Sequence, residues 1–422
     1  VEAQLNRLRF VLNSRGLRNS IARALQVGKR FGITAGRMEA RLAAYVDTVA
    51  GYGSSPSLPI TAAVLDRNPQ VARQLVDKGV ELCVHGFVHN DLSKLPAAVQ
   101  RVQIERAIEI FRRHRIGFTG FRSPYLRYNE ATLAAVEDAG FEYDSNLAFY
   151  WQPRDSFADL HRSEADGLRR GLRFYSPASY PADRSLPRFS GRLVEIPVSL
   201  PDDEILLDRM GWDASRIGRT WIEMARMALV RGELLTIQLH PERILLLRES
   251  LTSVLEFARS SGAFWMANMG EIARWWKHRT GLEAAVRSVG SGRFAVSAPL
   301  KAKTNLCLAT PRQGTSHPLE PDSEIAASRK PLIGIHPAAA PDLIHRIRDM
   351  GYLIEKTEDA DAYPLYFDGR STEDHIERAI ADVDHPLITD GLWPSPFKAA
   401  LVVTGDIDCL TLGDFIRRFR EG

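Results

Sequence analysis

Between residues 79 and 267, short apolar runs alternate with segments of helical period, and this alternation constrains the fold more than any other feature of the chain. The runs GVELCVH (79–85), IGFTGF (116–121), LVEIPVS (193–199), LLTIQL (234–239) and AFWMA (263–267) have strand length. Between them, residues 97–115, 131–139, 219–230 and 251–260 place apolar side chains three or four apart, as a helix with one buried face requires. Strand and helix alternating through short connections predict a parallel sheet, either open or closed into a barrel. An earlier run, ITAAVL at 60–65, reads as the first strand, and residues 269–278 as the helix that ends the series. Upstream, Leu8, Val11, Leu12, Ile21, Leu25 and Val27 recur at helical spacing and predict two or three amphipathic helices within residues 5–47.

Near residue 280 the texture changes. RFAVSA and LCLATP suggest antiparallel strands, PRQGTSHPLEPDSEIAASRKP a long loop, and PLIGIHPAAAPDLIHRIRDMGYLIEKTED a strand, a helix and a strand. A small mixed α/β domain is therefore expected over residues 281–390, after a larger domain over 1–280. The last segment, 391–422, contains an apolar strand at 399–403 and a helix from Leu412, a βα unit in the style of the first domain.

Composition excludes more than it assigns. The chain has 422 residues, 45% of them hydrophobic and 25% charged, with 55 basic and 52 acidic side chains, so neither nucleic acid nor an anionic membrane surface is indicated as partner. Cys83, Cys307 and Cys409 are too few and too scattered for a disulfide framework. No apolar run reaches the roughly 20 residues that span a bilayer. The expectation is a cytoplasmic protein, read from a sequence that begins at Val1 rather than Met.

Chemically capable residues follow the apolar runs: His85, Arg122, Asp202 with Asp203, His240 and Asp406. In a βα barrel all strand C-termini open on one face, so these side chains would converge. His85 and His89, four apart in VHGFVHND, can share one cation if the backbone turns helically after the strand; taken alone, the pair reads equally well as two hydrogen-bonded histidines. A third ligand would be a carboxylate. Asp66 follows a strand but also reads as a helix N-cap, whereas Asp406 and Asp408 form a paired motif, TGDID, after the most strand-like run in the chain. Two such carboxylates can divide the work, one binding metal and the other acting as general base. His240, held extended by Pro241, suits proton donation to a leaving amine, while His336, in a second His-Pro pair, reads as an ordinary surface residue.

These residues together resemble the NodB-like polysaccharide deacetylases, carbohydrate esterase family four, over roughly residues 60–267 plus the C-terminal strand. VHGFVHNDL is similar to the family's H-[ST]-x-x-H metal motif with Gly86 at the Ser/Thr place. FRSPY resembles R-x-P-Y, TIQLHP the final leucine-histidine motif, and TGDID the opening TFDDG or SFDVD motif. In the family that aspartate motif precedes the histidines, and here it comes last. The resemblance with this departure implies a distorted (β/α) barrel, circularly permuted so that the C-terminal strand is its first, with the small domain in between.

The resemblance implies hydrolysis of N-acetyl groups from an amino-sugar polysaccharide or oligosaccharide. Asp408, His85 and His89 would hold a divalent metal, Zn2+ by ligand type; Asp406 would be the base, oriented by Arg122; the backbone N–H of Tyr125 would face the oxyanion, and His240 would be the acid. Tyr128, Trp151 and Asp202 are expected to line the sugar groove, and Asp144 in YDSN is a similar candidate. Two other readings are a related metal-dependent amidohydrolase acting on a cyclic imide, and a non-catalytic carbohydrate-binding protein on a decayed barrel.

Overall fold

The computed structural model describes residues 31–179, 182–280, 285–297, 306–320, 323–368 and 373–421. The helices expected before residue 31 lie outside that range; within it, Gly36–Ala50 is helical and buries Met38, Leu42, Tyr45, Val46 and Val49 along one face.

One nine-stranded sheet organises the larger part. Its strands are β1 (Ser57–Ile60), β2 (Glu81–Val84), β3 (Gly120–Phe121), β4 (Tyr143–Asp144), β5 (Arg188–Ser190), β6 (Leu193–Glu195), β7 (Leu234–Gln238), β8 (Phe264–Met266) and β9 (Ala399–Thr404). Their order is β7-β9-β1-β2-β3-β4-β6-β5, with β8 also paired to β9. Every pairing is parallel except β5 with β6. β9 is buried along its whole length, as its unbroken AALVVT demands of a strand covered on both faces. Ala399, Leu401 and Val403 enter the large cluster shared with the helices, and Ala400 and Val402 enter a second cluster with Cys83, Tyr143, Val194 and Leu234, beside Trp276 and Trp393. The sheet is thus the curled half-barrel of a mixed α/β fold.

Two expected elements are corrected. The strand before the histidines is SLPI, not ITAAVL: residues Ala62–Arg67 form a helix that starts where the Ala62 and Ala63 N–H groups donate to the carbonyls of Gly86 and Phe87. Ala-Ala-Val-Leu is short and apolar enough to satisfy either geometry, and the tertiary partners decide. The run 193–199 divides into β6 and a separate strand, Val198–Leu200, which joins a three-stranded sheet with Ala148–Tyr150 and Ala178–Ser179. Helices Ala214–Arg231 and Ile244–Ser261 are longer than their apolar periodicity suggests, extending to a cap at Asp213 and a left-handed Gly262.

Residues 285–390 build three small sheets of their own. Ile333–Ile335 pairs in parallel with Ile354–Lys356 and Leu365–Phe367, and the intervening helix Pro341–Asp349 was expected. The stretch expected as a long loop instead contains strands Thr315–Pro318 and Glu324–Ala326. RFAVS and LCLAT are both antiparallel strands but belong to different sheets. Two apolar clusters centred on Ile333 and Ile347, and on Val296 and Ile388, give this region its own interior. No helix of the described residues is long and apolar enough to cross a membrane.

Candidate active site

β9 sits between β7 and β1, so the residues after it emerge beside those that follow β2. The Ile407 N–H donates to the Pro59 carbonyl at 2.7 Å, and this contact anchors the TGDID turn to the C-terminal end of β1. Chain neighbours some 320 residues apart are thereby brought together: His89 Nε2 lies 3.2 Å from Asp408 Oδ2, and His85 Nε2 lies 3.6 Å from Asp408 Oδ1. One donor atom from each of His85, His89 and Asp408 falls within 4.8 Å of the others, a spacing a single cation can bridge.

Local hydrogen bonds prepare these groups. His85 is fully buried, and its Nδ1 meets the Arg122 carbonyl at 2.9 Å. A carbonyl only accepts, so Nδ1 is the donor there and Nε2 is the ring nitrogen turned toward Asp408. Among the described residues neither His85 Nε2 nor Asp408 Oδ1 has a hydrogen-bond partner, although both are buried. Such orphaned atoms are costly unless something else engages them, and a cation does so. Burial pushes the His89 imidazole well below the ordinary histidine range, against the pull of Asp408, so it is neutral. Burial alone would raise Asp408, but His89, His85 and Arg418 together hold it well below the usual carboxylate range. Imidazole nitrogens beside an ionised carboxylate are a donor set that suits a divalent transition metal.

Asp406 stands beside this group, with Oδ2 at 3.8 Å from His85 Nε2. Arg122 donates to its Oδ1 at 3.0 Å and Gln238 to its Oδ2 at 3.2 Å. Arg122 is wholly buried, and its remaining donors reach Thr404 Oγ1, the Ser145 carbonyl, Ser145 Oγ and Met269 Sδ. A buried guanidinium is tolerated because each N–H finds an acceptor and one acceptor is charged.

A second pair lies nearby, close enough for His240 to disfavour protonation of His89. Asp203 Oδ1 accepts from His240 Nδ1 at 2.8 Å, and Asp203 Oδ2 from Arg243 at 2.8 Å. Burial opposes the charged imidazole of His240, yet the Asp203 carboxylate prevails and holds its pKa well above the ordinary value. Tyr125 is left-handed, at φ 63°, in the turn Pro124–Leu126, with its ring edge on His89 at a centroid distance of 4.3 Å. A bulky residue in that conformation is strained, and such strain gathers at functional sites.

The structure brings His85, His89, Asp408, Asp406, Arg122, Tyr125 and His240 together. It does not support all of the expected groove. Trp151 is wholly buried, donating from Nε1 to Ser199 Oγ at 2.9 Å, and is a core residue. Asp202 is also buried; its Oδ1 caps the following turn by accepting from the Ile205 N–H, and burial beside Asp203 and Glu204 raises its pKa to about 7. Tyr128 is half-buried, its hydroxyl pushed up to about 12 by burial and by Glu195 and Asp144, while Asp144 is buried and bonded to Asn146. Asp66 is not an N-cap but lies within the helix Ala62–Arg67, where its carboxylate meets His114 at 2.7 Å. Sequence reasoning missed Gln238, Arg243 and Arg418 and left Asp203 undistinguished from Asp202. Gln238 had a readable signal, since it shares strand parity with His240.

The curled sheet thus brings two histidines and a carboxylate together at its strand ends, a grouping that could hold a metal ion. Comparison with known proteins narrows the class. The family model described as polysaccharide deacetylase matches residues 40–143. A peptidoglycan deacetylase-like protein of Gibberella zeae is 31% identical over 123 residues, a match that spans 28% of this chain and 35% of that relative. Among solved structures, a probable polysaccharide deacetylase from Pseudomonas aeruginosa is similar at TM-score 0.43 and 20% identity, covering 56% of this chain and 73% of that one. PuuE allantoinase is similar at TM-score 0.42 and 19% identity, with 56% and 72% covered. The match to the polysaccharide deacetylase family model is confined to residues 40–143.

Proposed function

We propose that this protein hydrolyses N-acetyl groups of an amino-sugar-containing polysaccharide or oligosaccharide, releasing acetate, in a reaction that depends on a divalent cation. The observation that carries the reading is the convergence of His85 Nε2, His89 and Asp408 Oδ1, two of these atoms buried and unpartnered, beside an arginine-held second carboxylate. When bound there, a cation, zinc by the preference of two imidazoles and one carboxylate, supplies Lewis-acid polarisation of the acetyl carbonyl and a lowered pKa for water. Asp406, fixed through both oxygens by Arg122 and Gln238, takes the proton of the attacking water. The new C–O bond places charge on the carbonyl oxygen, toward which the Tyr125 N–H donates. His240, kept protonated by Asp203, gives its proton to the nitrogen as the C–N bond breaks, so a free amine and acetate leave.

The reading includes a permuted chain. Its support is the sheet order, in which β9 occupies the place between β7 and β1 while its sequence comes last. The domain limits that go with it are residues 1–280 and 391–422 for the barrel and 281–390 for the inserted domain.

The test is acetate release from N-acetylated oligosaccharides, with cyclic imides run in parallel, by wild type, Asp406→Asn and His89→Ala, before and after chelation. Full activity in either variant, or in the chelated protein, would sink the mechanism.

A further inference from the structure

Both carboxylates of the TGDID turn are held by an arginine, but from different sources. Asp406 has Arg122, part of the FRSPY motif; Asp408 has Arg418, which donates from one terminal nitrogen to Asp408 Oδ2 at 3.1 Å and from the other to the Tyr125 hydroxyl at 2.9 Å. Arg418 lies on the helix Leu412–Glu421 and is only 20% exposed. Its guanidinium also lies 5.7 Å from the centre of the Tyr125 ring. A carboxylate can bind a cation through one oxygen or both. Oδ2 thus accepts from a planar, permanently charged donor while lying 3.2 Å from His89 Nε2, whereas Oδ1 has no hydrogen bond among the described residues and lies 3.6 Å from His85 Nε2.

Resting on the cation reading above, we propose that Arg418 is a positioning residue that competes with the cation for Oδ2 of Asp408, leaving Oδ1 as the oxygen free of hydrogen bonds, and that ties the Tyr125 turn to the same carboxylate. Groups that orient a metal-binding side chain tune the coordination itself, so their loss is visible in the metal and not only in turnover.

The experiment loads the full chain with Co2+ and records its visible absorption spectrum, whose intensity and position follow coordination number. Arg418→Met and Arg418→Leu free Oδ2 and are expected to shift the band toward higher coordination, weaker and at shorter wavelength. Arg418→Gln keeps an N–H donor at the carboxylate and is expected to retain the wild-type band. Either apolar variant that keeps its near-UV circular dichroism suffices. An unchanged band in a folded apolar variant, or the same shift in Arg418→Gln, overturns the proposal. His89→Ala separates the two levels: a wild-type band that does not depend on His89 removes the cation reading and this proposal with it. A His89-dependent band that ignores Arg418 removes only the role given to Arg418.

Discussion

His240 keeps its proton against the demand of its surroundings. Burial disfavours an imidazolium, and the Asp203 carboxylate at 2.8 Å, with a smaller contribution from Glu242, raises its pKa. A raised pKa means that His240 is protonated until the pH climbs through that higher value, and in the proposed mechanism kcat should fall there. Asp203→Asn removes the charge that does the raising, so the alkaline limb of the kcat profile should move to lower pH; an unmoved limb would separate His240 from proton donation. Asp406→Asn should cost about 10²–10⁴-fold in kcat, the range of a lost general base, while cation content measured by elemental analysis stays at the wild-type level. His89→Ala should lose the cation itself. The histidines were legible in the sequence because their spacing is short-range and follows a strand, and Asp406 and Asp408 because a paired motif follows a strand too. Asp203 was not separable from Asp202, since adjacent residues in a turn point differently only once the backbone is known. Trp151 shows the same limit from the other side: an aromatic residue looks alike in sequence whether it lines a groove or fills a core.

At the scale of elements, apolar length and period identified most strands and helices of the sheet, and failed where tertiary contact chose between two satisfactory local geometries, as at 62–67. What period cannot report is how closely two strands approach at their ends. Gly405, between β9 and the paired carboxylates, is such a place: a Cβ there would lie 2.1 Å from the Leu239 carbonyl oxygen and 3.1 Å from Pro241 Cδ. Both neighbours belong to the segment that carries His240, and backbone cannot yield as a flexible side chain does. Gly405→Ala is therefore expected to destabilise the fold by about 1–3 kcal/mol, the cost of overpacking, and to part the Asp406 turn from the end of β7. Urea unfolding measures the first effect, and a fall in kcat larger than the change in folded fraction measures the second. A variant as stable and active as wild type would mean that the close approach is relaxed at no cost.

For the whole molecule, the question is whether residues 391–422 belong to the barrel by structure while standing apart from it in sequence. The contacts favour this: Phe31 stacks on Phe415 at a centroid distance of 6.0 Å, the Leu412 N–H donates to the Gly32 carbonyl at 2.8 Å, and the Tyr45 hydroxyl donates to the carbonyl of Thr404. The final βα unit thus packs against the start of the described chain, where the family's order would put it. A rearranged chain in which residues 391–422 come first and are followed by residues 1–280 omits 281–390. The omission has its own cost, because Trp276 loses the Asp349 carboxylate at 2.9 Å and Arg279 loses two backbone carbonyls on the helix 341–349. These contacts lie at the helix Met269–Thr280 and not at the strand ends that carry the histidines and aspartates. The rearranged chain should accordingly unfold at lower urea than the parent yet bind Co2+ with the same His89-dependent band. Loss of that band in a rearranged chain that still unfolds cooperatively would mean that residues 281–390 help to shape the site, and the permuted barrel would not be the functional unit.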